Sequence, residues 1–188
     1  EEGEEGVRVT LSGEVGEGMI LMDPQAAHER VLFERFMRSL KGRTLDTQGL
    51  LTPETVTLPP LKAALVRKHL AVLQEIGVGV SEFGGDTFLV EALPSVLGEL
   101  SAAALLADVT EELELVGKQA SGLAAIRDTV VQMAVRAAVR STTQLSREEL
   151  ERLISDLAMT AMPYTSPRGR PTLVFTSIQE LNRKFGRA

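Results

Sequence analysis

The spacing of apolar and polar residues divides the chain into short strands and longer helices. Strand patterns bounded by turn residues occur at 7–11, 18–22, 78–83, 87–93 and 172–175. The pair around Gly84, Gly85 and Asp86 predicts a hairpin. Residues 50–60 contain prolines that break a helix, so this segment is predicted to be extended.

Apolar residues at helical spacing predict six helices. They cover about 24–40, 61–76, 101–115, 122–140 and 150–157, and a last helix follows Ser177. Pro24 suits a first helical position, and Gly77 suits the position after a helix end. Ser101 can cap the third helix, while Ser146 with Glu149 and Ser177 with Glu180 have the spacing of capping boxes.

The longest predicted helix, 122–140, is apolar over most of its circumference. Its polar residues fall mainly on one stripe at 128, 132, 136 and 140. So wide an apolar arc predicts burial, either against a sheet or in a subunit interface. Strands and helices alternate without a regular βαβ order, so the predicted fold class is α+β (mixed α/β).

Composition limits the chemistry that this chain can perform. The 188 residues include no cysteine and only two histidines, His28 and His69, so thiolate metal sites are excluded and imidazole ligands are few. A net charge of −6 argues against broad nucleic-acid binding. The acidic segment 1–9 and the lack of an apolar run of roughly 18 residues lead us to expect a cytoplasmic protein without membrane contact.

The first predicted helix carries a candidate metal site. Gln25 and Glu29 lie one turn apart and roughly 40° around the helix axis, and Asp23 precedes them at a strand end. An amide oxygen is a weak ligand for zinc or manganese, and Asp23 can equally cap the helix. Glu34 points away from Gln25 and is expected to be a surface charge that pairs with Arg30 or Arg38. The residues favour a capped helix and leave a metal site as the alternative.

Two other segments are candidates for binding. The loop 166–171 presents Arg168 and Arg170, whose planar guanidinium groups suit phosphate, although a rigid connection with solvated arginines is the alternative interpretation. The segment Gln48, Gly49, Leu50, Leu51, Thr52 and Pro53 has the form of an extended peptide that docks in a hydrophobic cleft.

Several spaced motifs resemble the C-terminal domain of the MutL family of DNA mismatch repair proteins. A motif of the form DQHAAHERxxYE is matched by Asp23, Ala26, Ala27, His28, Glu29, Arg30 and Glu34, with Phe33 at the tyrosine. The form ACRxAxR is matched by Ala134, Arg136, Ala138 and Arg140, and CPHGRPT by Ser166, Pro167, Arg168, Gly169, Arg170, Pro171 and Thr172. The family's ending, EL followed by FxR, is matched by Glu180, Leu181, Phe185 and Arg187.

The resemblance implies a homodimerisation module. It implies a dimerisation subdomain formed by residues 1–53 and 119–188, with a smaller regulatory subdomain inserted at 54–118. Its expected partners are the DNA polymerase sliding clamp, a mismatch-recognition protein and other repair proteins, with DNA contacted at most weakly. The clamp would bind the segment containing Gln48, Leu50, Leu51 and Pro53. No cofactor is expected for this domain, and ATP is expected on a separate upstream domain.

The resemblance also implies that the domain is, in many members, a latent metal-dependent endonuclease that nicks DNA, and the departures from the family pattern fall on the metal ligands of that nuclease. Gln25 stands at the family's histidine and Pro24 at the glutamine before it, Val135 and Ser166 stand at cysteines, and Arg168 stands at a second histidine. Asp23 and Glu29 remain. We therefore expect a nuclease-deficient scaffold, so that this domain is more consistent with a non-enzyme. The alternatives are an endonuclease that holds Mg²⁺ or Mn²⁺, or less plausibly Zn²⁺, on Asp23, Glu29 and Glu34, and a clamp-binding adaptor.

Overall fold

Two antiparallel sheets organise the described part of the chain, which in this computed structural model comprises residues 17–42, 44–98, 100–116, 123–141 and 145–187. Strand β1 (Gly18–Met22) pairs with β5 (Leu173–Ser177), so the first and last strands of this part lie side by side. The second sheet has the order β2–β4–β3, formed by β2 (Thr47–Thr57), β4 (Thr87–Pro94) and β3 (Gly79–Gly84). The predicted hairpin and extended segment are confirmed, whereas the predicted strand 7–11 lies outside the described residues.

Seven helices surround these sheets in the described ranges. They are α1 (Pro24–Gly42), α2 (Pro60–Lys68), α3 (Leu70–Glu75), α4 (Ala102–Val116), α5 (Leu123–Ser141), α6 (Arg147–Ala158) and α7 (Ile178–Lys184). A single 3₁₀ turn, Ser95–Leu97, connects β4 to the segment before α4. The fold is therefore α+β, as the sequence predicts. Within the same ranges, none of the helices is long and apolar enough to cross a membrane.

The predicted single helix 61–76 is wrong, because His69 divides it into α2 and α3. The backbone of His69 has φ −112° and ψ 17°, and its N–H is shared between the carbonyl oxygens of Leu65 and Val66, both at 3.1 Å. Apolar spacing continues across the break since Val66 and Leu73 face the same core. A periodicity count does not detect an interruption of one residue.

Local capping signals agree with the structure at several helix starts. Ser146 Oγ accepts from Glu149 N at 3.3 Å and Ser146 N donates to Glu149 Oε2 at 2.7 Å, which confirms the capping box of α6. Ser177 Oγ accepts from Glu180 N at 3.1 Å at the start of α7. Such short-range signals act over three residues, which is why the sequence reveals them.

The long helix α5 is the centre of the main hydrophobic core. Its buried side chains include Val130, Val131 and Met133, and it packs on α1, α3 and α4. The predicted burial is confirmed, and the elements that cover α5 most extensively are helices. Burial in a subunit interface stays a prediction. The core also joins Phe36 of α1 to Phe88 of β4. The subdomain boundary at residues 53 and 54 stays a prediction, and β2 crosses it.

Candidate functional site

Asp23 lies between β1 and α1 and is held by two hydrogen bonds. Its backbone N–H donates to Thr172 O at 2.9 Å, and its Oδ1 accepts from Ala26 N at 3.0 Å. The second bond is an N-cap, so the predicted capping role is confirmed. Asp23 therefore connects α1 to the segment before β5 and uses one carboxylate oxygen in doing so.

Glu29 is the buried carboxylate of this region. Only 4% of the residue is exposed, and its Oε1 lies 3.4 Å from Arg170 Nη2. Burial raises the pKa of Glu29, while Arg170, Arg136 and Arg168 act in the opposite direction and Asp23 raises it further. One carboxylate oxygen of Glu29, Oε1, therefore already faces a guanidinium group.

Glu34 is not the surface charge that the sequence predicts. Its side chain is only 16% exposed, and its two oxygens accept from Ala161 N at 2.8 Å and Met162 N at 3.3 Å. The predicted pairing with Arg30 is present at 3.5 Å. The correction has a physical cause: the segment after α6 folds over α1 and shields this carboxylate, a tertiary contact that helix geometry alone does not reveal.

The candidate metal ligands of the first helix differ in their exposure to solvent. Gln25 is exposed, whereas Glu29, one turn later, is buried. His28 lines a cleft of about 230 Å³ between α1 and α6, where burial and then Arg35 lower its pKa. Among the residues that the structure describes, no group of three or more histidine, aspartate or glutamate side chains could hold a metal ion.

The loop that contains Arg168 and Arg170 is a tight turn. Thr165 and Pro171 form an isolated antiparallel bridge, and the buried Ser166 accepts from Arg170 N at 3.2 Å. Arg168 Nη2 lies 3.9 Å from Glu112 Oε2 of α4, and Arg170 reaches Glu29 of α1. Both guanidinium groups thus contact carboxylates of the chain itself. This geometry favours the rigid-connection interpretation of the loop.

Within the segment 48–53, residues 50–53 form an outward bulge on β2, which we call the β2 bulge. Gly49 lies opposite Ala92 and Glu54 lies opposite Val90, so four residues of β2 face the single residue 91 of β4. Leu51 is fully exposed, whereas Leu50 packs against the core. A cavity of about 700 Å³ lies beside this bulge, and its opposite wall is formed by Leu93, Pro94, Gly98, Leu100 and Ser101.

Two charged residues of these sites were not singled out from the sequence. Glu112 contacts Arg168, and Glu54 Oε2 accepts from Ala102 N of α4 at 3.2 Å. Both partners lie far away along the chain. The sequence carries no local signal for such pairs, since capping and helix-pair rules extend over only three or four residues.

The β1–β5 sheet exposes an apolar surface. Met19 and Leu21 lie two residues apart on β1, so their side chains point to the same side of the sheet. Val174 lies opposite Leu21 on β5 and shares that side. Each is about half exposed, at 50%, 54% and 49% respectively. Exposed apolar side chains that share one side of a sheet are a feature of interaction surfaces. We call these three residues the sheet face.

Comparison with known proteins connects this architecture to one family. Residues 11–145 match the family model described as the MutL C terminal dimerisation domain. The chain belongs to this family. The matched range includes Asp23, Glu29, Glu34 and the β2 bulge, while Arg168 and Arg170 lie beyond it.

Individual MutL relatives extend the similarity over most of the chain. The DNA mismatch repair protein MutL of Geotalea daltonii is 33% identical over 172 residues, which cover 92% of this chain and 29% of that protein. The MutL protein of Geobacter sulfurreducens is 34% identical over 92% of this chain and 28% of its own length. That of Symbiobacterium thermophilum is 35% identical over 91% of this chain and 27% of its own length. The chain thus spans less than a third of each of these relatives.

Proposed function

We propose that this MutL C-terminal dimerisation domain is a homodimeric scaffold of DNA mismatch repair that recruits partners and lacks nuclease activity. The observation that carries the proposal is the side chain at the family's second histidine, where Arg168 places a guanidinium group 3.9 Å from Glu112 of α4 instead of a neutral ligand. A positive group at this place opposes the binding of a second cation through Coulomb repulsion. Asp23 and Glu34 already accept hydrogen bonds from backbone N–H groups of the chain.

Plasmid nicking tests the loss of activity. Supercoiled plasmid is incubated with the chain and Mn²⁺ or Mg²⁺, with and without a sliding clamp, and we expect no conversion to the nicked form above the buffer background. Glu29→Ala is compared with Glu151→Ala, an exposed glutamate of α6. Nicking that Glu29→Ala abolishes and Glu151→Ala preserves would refute nuclease deficiency and support the endonuclease that uses Asp23, Glu29 and Glu34.

We propose that the sheet face is part of the dimer contact. Its half-exposed side chains, Met19, Leu21 and Val174, would gain stability from burial against a second copy, at about 25 cal/mol for each Å² of apolar surface removed from water. An isologous dimer would place the same residues on both sides. A charge introduced at Leu21 would then be buried twice.

Sedimentation at micromolar concentration tests this contact. We expect a dimer for the unmodified chain, a monomer for Leu21→Arg and a dimer for Leu61→Arg, a matched change at an exposed leucine of α2. Circular dichroism verifies that each variant is folded. A dimer in Leu21→Arg would contradict the placement of the contact, and a monomer of the unmodified chain would refute dimerisation itself.

A second candidate function is binding of the DNA polymerase sliding clamp. The β2 bulge favours it, because Leu51 projects fully into solvent on a segment that leaves the ladder with β4. Gln48 and Pro53, the two ends of the expected docking peptide, are exposed, whereas Leu50 contacts the core and would have to move to enter a cleft. Loss of clamp binding in Leu51→Ala, but not in Leu61→Ala, would support this function. Equal binding by both variants would refute it.

Arg168 and Arg170 are proposed to make at most weak DNA contacts. Each already contacts a carboxylate, and the chain carries a net charge of −6. A mismatch-recognition partner, ATP bound by another domain and a cytoplasmic location are proposed on the family relationship alone.

A further inference from the structure

Glu54 joins the exposed β2 bulge to the interior of the fold. It is the first residue after the bulge to rejoin the ladder with β4, where it lies opposite Val90. Its Oε2 accepts from Ala102 N, the first helical residue of α4, at 3.2 Å. The distal end of the bulge is therefore bound to a helix that starts 48 residues later in the chain.

The position of this carboxylate is favourable for α4. The first N–H groups of a helix lack partners within the helix, and a negative charge there interacts well with the helix dipole. Thr110 and Val109 of α4 are completely buried, so α4 is firmly packed and provides a fixed point for the bulge. The bulge itself has little other support at this end, since Leu51, Thr52 and Pro53 are all exposed.

We propose that Glu54 is a positioning residue for partner docking at the β2 bulge. It holds the bulge in its outward conformation through α4, so that a partner meets Leu51 already ordered. This inference rests on the proposed clamp-binding function. A docking segment that is ordered beforehand loses less conformational entropy on binding and therefore binds more tightly.

The experiment compares clamp affinity and bulge order in four variants of the whole chain. A purified bacterial sliding clamp is titrated by calorimetry, and amide order parameters of Leu51 and Thr52 are measured by NMR without the clamp. We expect Glu54→Ala to weaken binding about five-fold, the factor obtained when the whole stabilising effect of a helix cap is transferred to the docking equilibrium, and to lower both order parameters. Glu54→Gln should restore most of both, because its amide oxygen still accepts from Ala102 N.

Two further variants separate the outcomes. Thr110→Ala removes a buried hydroxyl that donates to Leu106 O at 2.7 Å, so it destabilises α4 away from the bulge and should leave clamp affinity unchanged. Leu51→Ala should abolish binding. If Leu51→Ala abolishes binding while Glu54→Ala binds like the unmodified chain, the role of Glu54 is overturned and clamp binding stands. If the unmodified chain does not bind, the clamp proposal fails. In that case the order parameters decide the role of Glu54. Lowered values in Glu54→Ala support this role, and unchanged values overturn it.

Discussion

Removal of either member of the Glu29–Arg170 ion pair should have unequal effects on stability. The Glu29 side chain is 5% exposed and the Arg170 side chain is 48% exposed. Glu29→Gln leaves a half-exposed guanidinium group that water can solvate. Arg170→Met leaves a buried carboxylate without its nearest counter-charge. The two substitutions remove the same contact, so any difference between them reports the cost of burying the carboxylate.

The structure sets the size of this difference. Breaking a buried ion pair from one side costs about 3–5 kcal/mol. Arg136 and Arg168 still act on Glu29, so we expect Arg170→Met to lower the free energy of unfolding by a smaller amount, about 2 kcal/mol at neutral pH. Glu29→Gln should lie within about 0.5 kcal/mol of the unmodified chain, and the double variant should resemble Glu29→Gln.

The pH dependence has a defined sign. Burial raises the pKa of Glu29 above its ordinary value of 4.5, so the folded state binds this proton more tightly than the unfolded state. The stability from this group is fully present below the unfolded pKa and is lost as pH rises through the folded pKa. Arg170→Met removes the largest opposing influence and raises that pKa further. Its deficit should therefore grow from acidic to neutral pH.

Urea unfolding at equal protein concentration measures these differences, since the stability of a dimer depends on concentration. The four proteins of the cycle are compared over a pH series from 4.5, the ordinary pKa of the group, up to neutral pH, which is the direction in which the pKa of Glu29 is shifted. Equal destabilisation by Glu29→Gln and Arg170→Met at neutral pH would refute the reasoning. A deficit of Arg170→Met that is independent of pH would refute the titration argument.

Three further predictions follow from packing and burial. Gly77→Ala should lower the free energy of unfolding, measured by thermal denaturation, by about 1–2 kcal/mol. Gly77 has φ +88°, and an added Cβ would lie 2.8 Å from Thr47 Cγ2. An unchanged free energy of unfolding would contradict this strain. Phe88→Ala should cost about 3–5 kcal/mol by urea unfolding, since Phe88 is completely buried in the main core; a loss like that of a surface substitution would contradict its place there. Burial and then Lys68 lower the pKa of His69 below 6.5, so its contribution to stability is present above that value and is lost as pH falls through the folded pKa. His69→Gln should flatten the fall in melting temperature below pH 6.5, and an unaltered slope would exclude His69 as its source.

Sequence reasoning succeeded where the determining interactions are local. The cap at Asp23, the box at Ser146 and the hairpin at Gly84 each depend on residues within a few positions of one another. It failed at His69, because both flanking helices face the same core and preserve the apolar period. It also could not separate Leu50 from Leu51, whose opposite environments arise from a bulge defined by the partner strand β4.

The candidate metal site is a second place where contacts between distant residues could not be predicted from the sequence. Motif comparison identifies which ligand types are missing, but it leaves open what the surviving carboxylates do. The structure gives each one a separate internal use: Asp23 caps α1, Glu29 pairs with Arg170, and Glu34 accepts two backbone N–H groups. A divalent cation would have to compete with all three uses and with the desolvation cost of its own approach to Glu29. Replacement of Gln25 alone would not remove this competition, because that side chain is exposed while Glu29 faces the interior. These carboxylates and Arg170 all match the family motifs, so the obstacle that is particular to this chain is the loss of the ligand types at Gln25, Val135, Ser166 and Arg168.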